Sequence, residues 1–280
     1  MKKDKQSYLA YPYVIWSAIF IVVPVLLILF YGFTIQESGE FKFSLENFQR
    51  LFDPVYFKVF TRSLWLAGVS TIICIFVGYP VAYIISKKHP SKSSTLILLF
   101  ILPMWMNFLL RTYAWASILG KNGMLNAIIT ALGFEPLEIL YTDTAVLLGM
   151  VYNFLPFMVL PIYTALSKMD QDLINAASDL GANKMQVFTK VIFPLSLPGV
   201  ASGITMVFMP SVSTFIISKL LGGGQTMLLG NLIEQQFLVT GDLNFGSTVS
   251  IAMMVLILLS MAIMSRFDKD SKSEGGGLLF

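Results

Sequence analysis

The chain contains 280 residues, of which 56% are apolar and only 12% are charged, whereas ordinary soluble domains carry roughly 25% charged residues. A single cysteine, Cys74, and a single histidine, His89, exclude a disulfide framework and a zinc site built from Cys and His ligands. The charges are also unevenly distributed, and the long uncharged windows exclude a soluble enzyme, a secreted scaffold and a nucleic-acid-binding module. The composition therefore predicts a polytopic membrane protein.

Six windows are long enough to cross a bilayer as helices, which takes about 20 residues. They are 6–36, 63–86, 93–120, 144–167, 191–218 and 243–265, and only the third contains a charge, Arg111. Their apolar runs are continuous, whereas the strands of a membrane barrel alternate over about 10 residues. We therefore predict an all-α protein with six transmembrane helices, over residues 10–33, 63–86, 95–119, 144–167, 196–218 and 245–265.

The first window follows Lys2, Lys3 and Lys5 and invites comparison with a signal peptide. A secretory apolar region is only about 7–15 residues long and ends at a small-residue cleavage site. This window is longer, contains Pro24 and lacks such a site, so we predict a retained helix.

The positive charges of the loops predict the orientation, because cytoplasmic loops carry the excess of Lys and Arg. The N-terminus, the loops 87–92 and 168–190 and the tail contain 12 of these residues, against 6 in the alternate loops. Both termini are therefore predicted to be cytoplasmic, in agreement with an even number of crossings. The predicted organisation is a cytoplasmic N-terminus over 1–9, a six-helix transmembrane domain over 10–267 with a cytoplasmic loop at 168–193, and a polar cytoplasmic tail over 268–280.

The loop 168–193 contains the signals of a short helix. Asp170 can cap its first turn, where Asp172 also opposes the positive helix end. Gly181 follows at the position where a left-handed glycine ends a helix. The residues predicted to form one apolar face are Leu173, Ile174, Ala177 and Leu180.

A second helix is predicted directly after this glycine. Asn183 and Gln186 have the spacing of a capping pair, and Pro194 and Pro198 are expected to close the segment. Its apolar residues are Val187, Phe188, Val191 and Ile192. The loop therefore predicts a helix–glycine–helix unit on the cytoplasmic side.

The sequence N-A-A-S-D-L-G, followed by nine residues and V-I-F-P, resembles the E-A-A signature of ABC-importer permeases. The residues in register are Ala176, Ala177, Gly181, Val191 and Pro194, while Asn175 stands where the family usually has Glu. The resemblance implies a type I importer permease fold in which this loop docks on a cytosolic ATPase. It also implies that Asp179 and Lys184 remain as polar contacts.

The same resemblance implies partners. These are a dimer of ABC ATPases, a second homologous permease and an extracytoplasmic binding protein in a bacterial cytoplasmic membrane. No G-x-x-x-x-G-K-[ST] pattern occurs, so ATP binding by that route is not expected in this chain and no cofactor is predicted.

Two further blocks, Leu102–Asn126 and Leu220–Phe237, resemble the PotB-type permeases of spermidine/putrescine importers, which implies polyamine transport. Two alternatives stay open: a permease for another small solute, and a non-transport membrane scaffold or enzyme. Within the second block, residues 220–233 are uncharged and glycine-rich but too short to span a bilayer. They predict a short outer or re-entrant helix.

Polar and aromatic residues inside the predicted spans are candidates for the translocation path. Aromatic faces attract amines through cation–π contacts, and proline-freed carbonyls or hydroxyls can serve a hydrated cation. The alternatives are an interfacial aromatic belt and polar contacts that hold membrane helices together. The candidates are Trp105, Asn107, Tyr152, Asn153, Ser211, Ser213 and Thr214.

Arg111 is the charge within the third predicted span. A charge at membrane depth normally faces protein or water, which favours a gate or an ion pair at a subunit interface. The alternative is an arginine that extends to the outer headgroups. Direct contact with a polycation would be repulsive.

Overall fold

The structure is a computed structural model that describes residues 11–37 and 39–273, with the side chains of residues 264–273 left out of the description. The predicted N-terminal segment 1–9 and residues 274–280 of the predicted tail lie outside the described residues. The helices are α1 (Tyr11–Gly32), α2 (Glu46–Arg50), α3 (Pro54–Ser86), α4 (Pro90–Ile101), α5 (Phe108–Leu119), α6 (Met124–Ala131), α7 (Asp143–Ser167), α8 (Gln171–Asp179), α9 (Lys184–Ser213), α10 (Ile216–Leu221), α11 (Leu229–Gln235) and α12 (Leu243–Ser273).

The candidate membrane spans agree with the predicted fold class. Within the described residues, α1, α3, α7, α9 and the Leu243–Ile263 part of α12 are long and apolar enough to cross a membrane. A sixth candidate is a bent pair, Pro90–Trp105 and Phe108–Ala131, whose two arms meet at 88°. The mostly helical fold with up to six spans is therefore confirmed. Helix α12 reaches Ser273 and so includes the first residues of the predicted tail.

The third predicted span, 95–119, is not one continuous helix. After α4 a 3₁₀ turn covers Leu102–Trp105, and Met106 and Asn107 have extended backbone before α5 begins. Pro103 lacks an N–H group for the helical ladder, which weakens the helix at this point. The Asn107 side chain accepts hydrogen bonds from the amides of Leu109 and Leu110 and so starts a new helix.

The fifth predicted span was expected to begin at residue 196, but α9 begins at Lys184 and ends at Ser213. Pro194 and Pro198 therefore do not close the loop, contrary to the prediction. A π-helical turn over Phe188–Ile192 directly precedes Pro194. Because a proline ring clashes with the carbonyl four residues earlier, this wider turn lets the helix pass through the proline.

A β-hairpin that the sequence analysis did not predict follows α1. Strands β1 (Thr34–Glu37) and β2 (Glu40–Phe43) pair antiparallel, with Thr34 opposite Phe43. Gly39 has a φ of +89°, a conformation that glycine adopts at little cost. The glycine between two alternating segments was the available signal.

The chain divides into two compact units. One combines the described residues between Tyr11 and Val59 with Leu232–Leu256. In it, the Asn244 amide donates to the carbonyls of Tyr31 and Thr34, and the Thr248 hydroxyl donates to the Gly32 carbonyl. The start of α12 is thus tied to the end of α1 and the base of the hairpin.

The other unit combines Phe60–Asn231 with the described residues from Ile257 to Ser273. Its most buried span is α7. In an apolar stretch of 18 residues, 56% of the α7 residues are buried, against 39% in α3 and in α9. Helix α9 approaches α7 closely at Gly199 and Gly203. A Cβ atom on Gly199 would lie 2.7 Å from the Ala165 Cβ and 2.8 Å from the Pro161 carbonyl oxygen. Glycine at these positions therefore sets the distance between the two helices.

The Gly199→Ala substitution should lower the stability of the protein by about 1–3 kcal/mol, the usual cost of overpacking. The matched control is Gly68→Ala on α3, where an added Cβ meets nothing within 4 Å and an alanine is expected to be neutral or mildly stabilising. Thermal unfolding of the purified variants in detergent measures both effects. Equal melting temperatures for the two variants would contradict the close contact at Gly199.

Candidate functional site

Helix α8 has defined ends on both sides. The Asp170 carboxylate accepts a hydrogen bond of 2.9 Å from the Asp172 amide at the N-terminus. At the C-terminus Gly181 has a φ of +85°, and the Ala182 amide donates to the Ala177 carbonyl at 3.1 Å. This is the hydrogen bond of a Schellman motif. The predicted N-cap and the predicted left-handed glycine are confirmed.

The second helix of the loop begins with the predicted capping box. The Asn183 side chain accepts from the Gln186 amide, and the Gln186 side chain accepts from the Asn183 amide, both at 2.9 Å. The helix that starts here is α9 itself, not a separate cytoplasmic helix. The loop is therefore joined to a membrane span by continuous helix.

The predicted apolar face of α8 is only partly covered by the rest of the protein. Ile174 and Ala177 are half-buried and pack against the hydrophobic core of the second unit. Leu173 and Leu180 are 48% and 89% exposed. The core therefore covers the apolar face of α8 at Ile174 and Ala177, and leaves Leu173 and Leu180, at the edge of the same face, accessible.

The other residues of the predicted coupling surface are also exposed. They are Asn175, Ala176, Asp179, Gly181, Lys184 and Pro194. Met185, which the sequence analysis did not select, is 70% exposed beside them. The result is a surface of small and apolar groups with acidic and basic residues around it, a composition suited to contact with another protein.

The helix break between α4 and α5 positions two of the predicted path residues. Trp105 is 80% exposed. The Asn107 side-chain oxygen accepts from Leu109 N at 2.8 Å, so it acts as the N-cap of α5. A path-lining role for Asn107 would fall to its amide nitrogen.

Arg111 is only 8% exposed, and its Nε atom has no hydrogen-bond acceptor among the described residues. Its guanidinium carbon lies 5.9 Å from the centre of the Phe108 ring. A buried side chain of this kind faces protein, as expected for a charge inside a span. This position favours the gate or interface interpretation over an arginine extended into lipid headgroups.

In α7, Tyr152 is 36% exposed and its ring lies 5.2 Å from that of Trp115 in an edge-to-face arrangement. Asn153 is 2% exposed. Its amide donates to the Gly149 carbonyl at 2.9 Å, while its Oδ1 has no donor among the described residues. Within this chain, Tyr152 therefore presents an accessible surface and Asn153 does not.

The hydroxyl residues near the end of α9 are used mainly within the fold. Ser211 is fully buried, donates to the Val207 carbonyl at 2.7 Å and lies 3.4 Å from the Ser70 hydroxyl. Ser213 donates to the Met209 carbonyl, and Thr214 has the extended backbone that ends the helix. The structure brings Ser211 to α3 but joins none of the three to Trp105 or Asn107 by a hydrogen bond among the described residues.

A polar cluster that the sequence analysis missed surrounds Arg62. Its guanidinium donates to the Asp143 carboxylate at 2.6 Å and to the Gln225 carbonyl at 3.1 Å. The Thr226 hydroxyl donates to the same carboxylate at 3.0 Å. Arg62 and Asp143 each directly precede an uncharged window, and this shared position was the available signal. The cluster holds the glycine-rich turn 222–226 against the start of α7 and the third turn of α3.

The helical spans and the exposed, capped helix in the connection before α9 are those of a polytopic membrane protein with a surface for another protein. The sequence matches the family of the binding-protein-dependent transport system inner membrane component over residues 2–273, and the chain belongs to this family. It is thus a multi-pass transport subunit, not an enzyme in its own right.

Two curated relatives are similar over nearly their whole length. The spermidine/putrescine transport system permease protein PotB of Haemophilus influenzae is 40% identical over 259 residues, covering 91% of each chain. The protein of the same name in Escherichia coli is 38% identical over 256 residues, covering 90% of this chain and 93% of that one.

A solved structure with the same fold is a bacterial ABC transporter involved in the import of the acidic polysaccharide alginate. Its TM-score is 0.79, with 95% of this chain and 98% of that chain covered. The sequences are 16% identical, so the likeness concerns the fold alone. It supports the predicted ABC type I importer permease fold.

The Gly181→Ala substitution should loosen the last turn of α8, because a left-handed conformation costs a residue with a Cβ roughly 1–2 kcal/mol. An added Cβ meets nothing within 4 Å, so backbone conformation is the only source of strain. Gly181→Asn is the matched variant, since Asn tolerates this conformation better. Hydrogen exchange of the Leu180 and Ala182 amides should accelerate more in the Ala variant, and equal exchange in both variants would contradict this account.

Proposed function

We propose that this chain is one of two permease subunits of an ATP-driven ABC importer that moves spermidine, putrescine or both into a bacterial cell. This proposal rests on sequence similarity. Relatives named as spermidine/putrescine permeases match about 90% of the chain. The two termini and the loop 168–193 lie on the cytoplasmic side. The partners are a cytosolic ATPase dimer, a second homologous permease and an extracytoplasmic polyamine-binding protein.

The ATPase docks on the outward side of α8. Two observations support this assignment: the outward side carries accessible apolar groups, and the inward side is anchored to the core by Ile174 and Ala177. An anchored helix can transmit a push as a rigid body. When the ATPases close, α8 and the α9 helix that follows it move together, and this movement drives alternating access.

The membrane path binds its substrate weakly. No acidic residue lies inside the six predicted spans. The spans therefore offer a polycation only aromatic faces and neutral oxygens. Exposed Trp105 and half-exposed Tyr152 fit this role, since cation–π contacts are worth about 0.5–2 kcal/mol. Direct contact of a polyamine with the Arg111 charge would be repulsive, so Arg111 adds nothing to the binding. Strong recognition therefore belongs to the binding protein.

The experiment that tests the proposal is uptake by the reconstituted complex. The chain is co-expressed with its ATPase, second permease and binding protein, and the complex is placed in liposomes loaded with ATP. Labelled spermidine and putrescine should accumulate, and unlabelled polyamine should compete where an unrelated small solute does not. Uptake of another solute alone would replace the polyamine assignment. A chain that does not co-purify with an ATPase would overturn the importer assignment.

The Ala177→Asp substitution should separate the permease from the ATPase, because a carboxylate against the core displaces α8 and, with it, the docking surface on the outward side of this helix. We expect the amount of co-purified ATPase and the polyamine uptake to fall at least about tenfold, a change of 1.4 kcal/mol. The control is Ala131→Asp on α6, an exposed alanine outside the coupling loop. Normal uptake by the Ala177 variant would contradict the docking role of α8.

The Asn175→Glu substitution should change uptake by less than about threefold, or roughly 0.6 kcal/mol. A charge-assisted contact is stronger than a neutral one, but at a solvated surface an ion pair is worth only about 0–1 kcal/mol. Asp172 and Asp179 lie on the same side of α8 and can supply the charge. Asp179→Asn should therefore cost more than Asn175→Glu. A silent Asp179→Asn beside a strong effect of Asn175→Glu would show that Asn175 is a contact in its own right.

A further inference from the structure

Four aromatic residues form a cluster between the end of α3 and the start of α9. The Phe188 ring lies 5.4 Å from that of Tyr83 and 6.0 Å from that of Tyr79, with interplanar angles of 80° and 89°. Phe193 lies 5.7 Å from Tyr79. Edge-to-face rings at these separations attract one another. The cluster therefore joins the two spans through specific contacts.

The aromatic cluster is next to α8. Phe188 is the first residue of the π-helical turn of α9, and α8 packs against this turn. Val187, directly before Phe188, is buried in the same core that receives Ile174 and Ala177. A displacement of α8 therefore acts directly on the element that carries the Phe188 ring.

Hydroxyl groups extend the connection at the same end of the spans. The Tyr79 and Ser196 hydroxyls lie 2.8 Å apart in a buried contact between α3 and α9. The Ser93 hydroxyl donates to the Ile85 carbonyl at 3.0 Å and lies 2.8 Å from the Tyr163 hydroxyl. The end of α3 is thus attached to α4 and α9, and α4 is attached to α7.

We propose that Phe188 and Tyr79 are positioning residues for energy coupling: they carry the displacement of α8 to α3. This inference rests on the proposed docking of the ATPase on α8. Close-packed rings cannot be compressed, so α3 must follow the start of α9 when α8 is pushed. Without the ring contacts, α8 and α9 still move but α3 does not follow.

The test uses the full complex in liposomes and compares Phe188→Leu, Tyr79→Leu and Tyr79→Phe. The control is Phe76→Leu, because Phe76 lies on α3 close to Tyr79 and is 75% exposed. Polyamine transported per ATP hydrolysed should fall about three- to tenfold in both Leu variants, within the range of effects seen for residues that couple distant sites. Tyr79→Phe keeps the ring and should retain most of this ratio, and the control should be unchanged. The ATPase should co-purify with every variant.

A second readout does not depend on the substrate. Cys74 is the only cysteine of the sequence, so Cys74→Ala allows nitroxide labels at Ile84→Cys on α3 and Leu197→Cys on α9, both of which are exposed. ATP binding should leave the distance between the labels unchanged in the otherwise unaltered complex. In the Phe188→Leu complex the same ATP addition should change this distance.

Several outcomes overturn the inference. They are an unchanged transport ratio in either Leu variant, equal losses of hydrolysis and uptake, and an ATP-dependent distance that is the same with and without the Phe188 ring. Failure of the proposed function looks different. It would appear as absence of polyamine uptake in the unaltered complex, or as normal ATPase binding and uptake by Ala177→Asp. In either case the label distances still decide whether α3 follows α9.

Discussion

The close packing of α9 against α7 is the interaction on which the fold of the second unit depends. Gly199 and Gly203 allow the backbones to approach until a single added methyl group would collide. In a membrane the hydrophobic effect does not drive helices together, so packing contacts of this kind must do so. Because α9 is held along its length, its two ends have defined positions. The coupling loop precedes one end and the hydroxyl-bearing helix end at Ser213 and Thr214 forms the other.

Most of the polar groups described above lie where hydrogen bonds or an ion pair offset the free-energy cost of burying them. The Arg62 and Asp143 charges lie at the edges of uncharged windows and bind one another and the glycine-rich turn. Buried serines such as Ser211 donate to carbonyls of their own helix, which satisfies them without a second chain. The buried Nε of Arg111 and Oδ1 of Asn153 lack such partners among the described residues. Unsatisfied groups of this kind are few in folded proteins, where an ordered water, an ion or a functional contact accounts for them.

The start of α9 combines rigidity with a local departure from regular helix. The capping box at Asn183 defines where the helix begins, and the π turn at Phe188–Ile192 lets it pass Pro194 without ending. Such turns are frequent at functional sites. Here the π turn carries the Phe188 ring, which contacts α3, and α8 packs against the same turn. In the proposed mechanism, a helix that is continuous with the loop 168–193 transmits force along its axis, and the Phe188 ring adds a lateral connection to α3.

The sequence by itself determined the membrane class, the approximate spans, the caps of α8 and the capping box at Asn183, because these depend on local charge, hydropathy and side-chain spacing. It also identified the family through the register of the coupling loop. The break at Asn107, the passage of α9 through Pro194 and the partial burial of the apolar face of α8 were decided by tertiary structure. In each case the local sequence allows two structures. A proline can end a helix or follow a π turn, and an apolar residue can face the core or a partner. Only the surrounding packing selects between them, and the same is true of the Arg62 cluster and the aromatic cluster, whose members lie far apart in the chain.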